Sequence, residues 1–254
     1  MLGYAVAAIA QSSPRLVVNI VVSSMGANDL DRYANNFSST GFRRLINGGQ
    51  RFTNASYNYM QTTTPVSLAT LTTGAMPSTH GVVADRWFDY VSNKPVSLID
   101  DTKEQSVNYS GGSGSYSPRN LIAQTLSDAL KQQHPDSHIA TIAVEPLSAI
   151  VMAGHSGEVY WMESLQSSWT TSSYYSKELP KWIADYNYDD RNEDLAIKRW
   201  TPLLPYDNYL NSQVSVIEDI QSKTNKRIVH VQDTPLAKGT MDDINKVGSN
   251  HGLA

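Results

Sequence analysis

The sequence predicts a layered α/β fold, with helices on both faces of a mostly parallel sheet and a small polar, aromatic α+β insertion. Three observations carry this. Arg15–Val22 (RLVVNIVV) is a β-branched, almost unbroken apolar run, as expected of a strand covered on both faces. Leu121, Ile122, Thr125, Leu126, Ala129 and Leu130 fall on one helical face behind a Ser117-Pro118 start. His138–Val144 (HIATIAV) is a second apolar run of strand length. Strand, helix and strand in that order suit layered α/β architecture.

The 254 residues are 40% hydrophobic and 17% charged, enough for a substantial core and too apolar for a disordered chain. Net charge is −4, without the basic excess of a nucleic-acid or anionic-membrane binder. The chain has no cysteine, so no disulfide, thiolate zinc site or cysteine nucleophile is expected. Leu2–Ala10 is apolar and ends in small residues, like the core and cleavage site of a secretory signal. Residues 1–13 are therefore read as a partial signal peptide, and the expected location is periplasmic, cell-surface or secreted. No run is long enough to span a membrane.

After the first strand, SSMGANDLDRY reads as a loop. SSTGFRRLINGG reads as a helix capped among Ser38–Thr40 and ended by Gly48 or Gly49. RFTNASYNYM reads as extended. In QTTTPVSLATLTTG, Pro65 suits the first helical position and makes Thr64 the expected N-cap; Gly74 ends the helix. HGVVADRWFDY turns into another extended piece. The Gly/Ser-rich YSGGSGSYSPRN is a loop. From about 155 to 225 the chain is polar and aromatic, and reads as an insertion outside the main layer with an amphipathic helix near Leu179–Tyr186. KRIVHVQDTP (226–235) reads as a further strand.

Six blocks in order resemble the alkaline phosphatase superfamily, in particular its secreted, phosphate-irrepressible branch with a threonine nucleophile. They are LVVNIVVSSM, GFRRLINGG, TTTPVSLATLTTGAMPSTHGVVADRWFD, SPRNLIAQTLSDAL, AIVMAGHSGEVYWMES and YYSKELPKWIADYN. The resemblance implies two-zinc phosphoryl transfer. It places Thr64 at the nucleophile, at a helix N-terminus where free N–H groups favour phosphate.

This sequence departs from the family at four places. Ser23 stands where a metal-ligating aspartate is expected, and a neutral serine is a poor ligand for a hard dication. Asp85 aligns with a phosphate-donating asparagine; its charge would repel the dianion by about 4 kcal/mol per charge pair at 4 Å before screening. Glu145 and Leu147 align with a phosphate-contacting Lys-x-Arg pair. The family's C-terminal zinc ligands have no counterpart, and the six histidines form no Asp-His or Asp-x-x-x-His pair.

His80 and His155 are read as hydrogen-bonding structural histidines, and Asp85 as a carboxylate that is solvated or paired with Arg86 or another cation. The expectation is a catalytically degenerate phosphatase-like protein serving in binding or assembly, with no cofactor. One alternative is a threonine-dependent phosphoesterase whose zinc site is completed by a missing half or a partner chain. Another is a module holding a neutral or cationic ligand in the former phosphate pocket. An incomplete parallel sheet leaves an open edge, so a protein partner or homo-oligomer is expected to cover it.

Overall fold

The computed structural model describes residues 14–107, 115–163 and 168–189. The signal-like start, the centre of the Gly/Ser loop, and the segments after 189, including 226–235 and most of the insertion, lie outside the described residues. The chain divides into a unit ending at Thr53 and a second beginning at Asn54.

In the first unit, Arg15–Val22 is not the expected buried strand. Among the described residues it has no partner strand, and its apolar side chains are exposed. A parallel strand is stable only between neighbours, and among the described residues nothing pairs with this one. Two short helices follow, α1 (Asp29–Arg32) and α2 (Phe42–Gly48). The N-cap of α2 is Gly41 at φ +63°, not Ser38–Thr40; Gly49 ends the helix as expected. Arg51 grips Asp31 with two N–H···O bonds of 2.7 and 2.8 Å. No residue of this unit is buried among those described.

RFTNASYNYM forms turns and bends, not strand. It leads to α3 (Thr64–Thr73), which buries Val66, Leu68, Ala69 and Thr72 and stops at Gly74, whose left-handed backbone donates to Thr70 O at 2.9 Å. Pro77 opens the single turn α4 (Pro77–His80), and β1 (Arg86–Asp89) pairs antiparallel with β2 (Lys94–Ser97). The expected helix at Pro118 starts later, as α5 (Leu126–Gln133). Ser117 instead spends its hydroxyl on Asp101 at 2.7 Å, whereas Thr125 and Asp128 make a reciprocal capping box. Leu121 is buried, but Ile122 and Leu126 are exposed, so the anticipated helical face does not exist.

The second sheet holds the core. β3 (Ala140–Ala143) runs through α6 (Pro146–Ala153) into β4 (Glu158–Glu163), parallel and in register from Ala140↔Glu158 to Ala143↔Trp161. This is a βαβ unit. β5 (Ser168–Thr170) pairs antiparallel on the far side of β4. The expectation that GEVYWMES lies outside the main layer is therefore corrected: β4 is the middle strand, and Val159, Tyr160 and Trp161 are all buried. Both faces of β4 carry helices. Trp161 and Val159 join Val66, Leu68, Ile150 and Val151 beneath α3 and α6. Tyr160, the alternate residue, meets Trp182 of α7 (Lys181–Tyr188) edge-on at 5.7 Å. The helix expected near 179–186 is α7.

Candidate functional site

Thr64, Asp85 and Glu145 each stand at a helix start or turn of this second unit. Thr64 is the first residue of α3, not its cap. Thr63 is the N-cap in extended conformation, and no side-chain cap bond forms. The first intrahelical bond there is Ser67 N–H to Thr63 O at 2.9 Å. The N–H groups of Thr64 and Val66 therefore face outward from the first turn, and Pro65 has none to lose. The Thr64 side chain is exposed.

Asp85 is exposed just ahead of β1, and its carbonyl accepts Leu98 N–H at 2.8 Å. It does not pair with Arg86, which reaches Asp100 at 2.8 Å instead. Glu145 is exposed at the N-cap of α6, between β3 and Pro146, and makes no side-chain cap bond. Leu147, two residues on, is half-buried and packs against the hydrophobic core. Ser23 is in the first unit, exposed, in a turn with Ser24 at φ +60°. No hydrogen bond or ion pair links Thr64, Asp85 and Glu145 among the described residues.

The two histidines are structural. His80 is fully buried. Val82 N–H donates to its Nδ1 at 3.1 Å, which assigns the proton to Nε2, 3.0 Å from the Thr70 hydroxyl; Tyr59 donates to that hydroxyl at 2.8 Å. Burial lowers the His80 pKa, in keeping with a neutral ring. His155 follows α6 and is held by Asp128 of α5 through its backbone N–H at 2.8 Å and Nδ1 at 3.0 Å. Burial alone pushes the Asp128 carboxyl up, but the bonds from His155 and Thr125 outweigh it and the net shift is downward.

Sequence reasoning missed Asp128 and Thr125. The signal was present as Thr-Leu-Ser-Asp, a Thr-x-x-Asp cap sequence, and was overlooked in favour of the Ser-Pro pair upstream.

Chemically, a threonine hydroxyl at a helix N-terminus can meet an anion, but it attacks phosphorus only if a base or metal activates it. Zinc requires three or four ligating groups. Among the described residues no three His, Asp or Glu side chains come close enough to hold a metal ion, and the hydroxyl of Ser23 is no substitute for a carboxylate. The donor set described does not fit zinc. Nor is any helix among the described residues long and apolar enough to cross a membrane.

Residues 17–253 match the family described as type I phosphodiesterase / nucleotide pyrophosphatase. The alkaline phosphatase PafA of Elizabethkingia meningoseptica is 33% identical over 208 residues, 81% of this chain and 38% of that protein. A calcium-transporting ATPase of Myroides odoratus is 32% identical over 78% of this chain and 37% of its own length. The crystal structure of wild-type PafA superposes with a TM-score of 0.69 at 32% identity, over 72% of this chain and 36% of that one. The chain thus spans little more than a third of the length of the relatives it matches.

Proposed function

As the chain belongs to the type I phosphodiesterase / nucleotide pyrophosphatase family, and so carries a phosphoesterase-type fold, we propose that its phosphatase-like site is catalytically degenerate. The protein then serves as a binding or assembly component outside the cytoplasm. One observation carries this reading. Thr64 keeps the helix-start position of a nucleophile, while Asp85 and Glu145 are exposed carboxylates and Leu147 packs on the core at positions the resemblance gives to phosphate-binding donors. Two carboxylates oppose a phosphate dianion, and no ligand cluster among the described residues offsets them. The apolar, small-residue start at Leu2–Ala10 supports export.

A second reading is favoured by the free N–H groups at the first turn of α3 and by the names of the relatives. It is a zinc-dependent phosphoesterase with Thr64 as nucleophile, whose metal site is completed by residues from another segment or chain. Hydrolysis of p-nitrophenyl phosphate and its bis-ester, with excess zinc and a Thr64→Ala control, separates the two. The degenerate reading expects wild type and control to be equally inert. Zinc-dependent turnover that vanishes in the control overturns it and establishes the second.

A further inference from the structure

His80 ties together the approaches to Thr64 and to Asp85. Through the Thr70 hydroxyl its ring is linked to Tyr59, five residues ahead of Thr64. On its other side Nδ1 accepts from Val82, three residues ahead of Asp85. The turn that carries the ring is built to move as a piece. His80 is the residue that α4 buries. The backbone bonds of α4 are internal: Thr79 and His80 donate to Met76 O at 2.8 and 2.9 Å, and Gly81 donates to Pro77 O at 2.9 Å. Left-handed glycines bound the segment, Gly74 at φ +67° and Gly81 at φ +77°.

The ring keeps both bonds in one protonation state only. Val82 N–H occupies Nδ1, so a second proton has to enter there, and two donors would then face each other across 3.1 Å. The ring is wholly buried, and no ionised group among the described residues bears on its proton. Tyr59 is the titratable side chain of this network, and it reaches the ring only through Thr70. A charged ring in the closed turn would therefore lack both its acceptor role and a counter-ion. We infer that His80 is an acid-operated latch: protonation of its ring releases the α4 turn, and with it the approaches to Asp85 and Thr64, while the β3–α6–β4 core stays folded. The inference holds whether or not Thr64 is active. Its sign follows from burial, which lowers the folded pKa of His80 from the ordinary 6.5. As pH falls, the open turn takes up the proton before the closed one. The closed turn is thus fully stable above about pH 6.5, and below it the opening equilibrium rises by about tenfold per pH unit for one proton.

Amide hydrogen exchange of the full chain, followed residue by residue and corrected for the intrinsic effect of pH, reads the latch directly. The Val82 amide is the donor to Nδ1, and the Met162 amide, bonded to Val144 O, reports on the β4 core. Between about pH 6.5 and 5.5 the protection of Val82 should fall about tenfold while that of Met162 holds. In His80→Asn the amide oxygen takes the place of Nδ1 as acceptor and binds no proton, so the slope at Val82 should vanish. Imidazole nitrogen shifts of wild type give a second test that needs no variant. They should show His80 neutral, with its proton on Nε2, for as long as Val82 is protected. Three results overturn the inference: a Val82 protection independent of pH, a loss of protection at Val82 and Met162 together, or a slope that persists in His80→Asn. A charged His80 ring inside a turn that still protects Val82 overturns it as well.

Discussion

Asp128 holds His155 by two bonds at once: Oδ1 accepts the backbone N–H at 2.8 Å, and Oδ2 lies 3.0 Å from the ring Nδ1. Oδ2 also receives the N–H and the hydroxyl of Thr125, each at 3.0 Å. One carboxylate thereby caps α5 and fastens the turn that leads from α6 into β4. Replacing Asp128 by Ala leaves several buried donors without acceptors and should cost about 2–4 kcal/mol. Denaturant unfolding measures it, and a double-mutant cycle with His155→Ala isolates the pair.

The same carboxylate sets an acid limit. Its folded pKa is lowered, so on acidification the unfolded chain takes up the proton first. Its contribution is full above the ordinary aspartate range, near 3.9, and is lost as pH falls through the lower folded value. The stability gap between wild type and Asp128→Asn should therefore be constant near neutrality and narrow at acid pH. A gap unchanged down to pH 2–3 would show that Asp128 does not favour ionisation in the fold.

Gly154 should tolerate no side chain. It sits at φ +70°, and a Cβ there would run into the Thr125 hydroxyl and, at 2.5 Å, into Asp128 Oδ2. Both the backbone and the capping box would have to shift. Gly154→Ala should lose more than about 2 kcal/mol, whereas Gly74→Ala, with open space around its Cβ position, should lose only the left-handed backbone penalty of about 1 kcal/mol. Thermal melts of the two variants provide the comparison.

Much of this arrangement was legible where local rules and tertiary demands coincide. Gly74 and Gly49 end the helices they were expected to end, the β3 segment is a strand, and Pro65 opens α3 within one position. Legibility failed where a side chain had a remote competitor. Ser117 looked like a cap, but Asp101, sixteen positions back, takes its hydroxyl. Arg86 is one possible partner of Asp85 in the sequence, but Asp100 across the hairpin takes it and Asp85 stays exposed, as the solvated reading expects. Tyr160 and Trp161 looked like an insertion because aromatic residues suit both core and periphery; only the β3 pairing makes β4 the middle strand. Leu16–Val22 reads as a strand in any window, yet a strand is completed by its neighbours, which composition does not specify. For the site, the position of Thr64 at a helix start was readable. The meeting of Asp128 with His155 was not, because it joins residues 27 positions apart.

Thr64 and Thr125 should respond differently to the same truncation. Thr64 is exposed and makes no cap bond, so Thr64→Ala should change stability by less than about 0.5 kcal/mol. Thr125 is the cap of α5 and almost fully buried, so Thr125→Ala should cost about 1–2 kcal/mol. Equal losses in a denaturant titration would mean that Thr64 carries a structural load that its surroundings do not reveal.

Reinstating the basic pair that the resemblance associates with Glu145 and Leu147 should be harder at one position than at the other. Glu145 is exposed at the start of α6, where a negative charge suits the helix dipole, so Glu145→Lys should cost about 0.3–1 kcal/mol. Leu147 packs against the cluster containing Ile150, Val151 and Trp161. Leu147→Arg removes that apolar contact and presses a guanidinium stem against a filled core, at a cost of about 1–3 kcal/mol. Leu147 thus packs on the core at a position that the resemblance gives to an arginine. If Leu147→Arg proves as benign as Glu145→Lys in thermal unfolding, the side chain turns outward freely and the packing around Leu147 does not bar an arginine there.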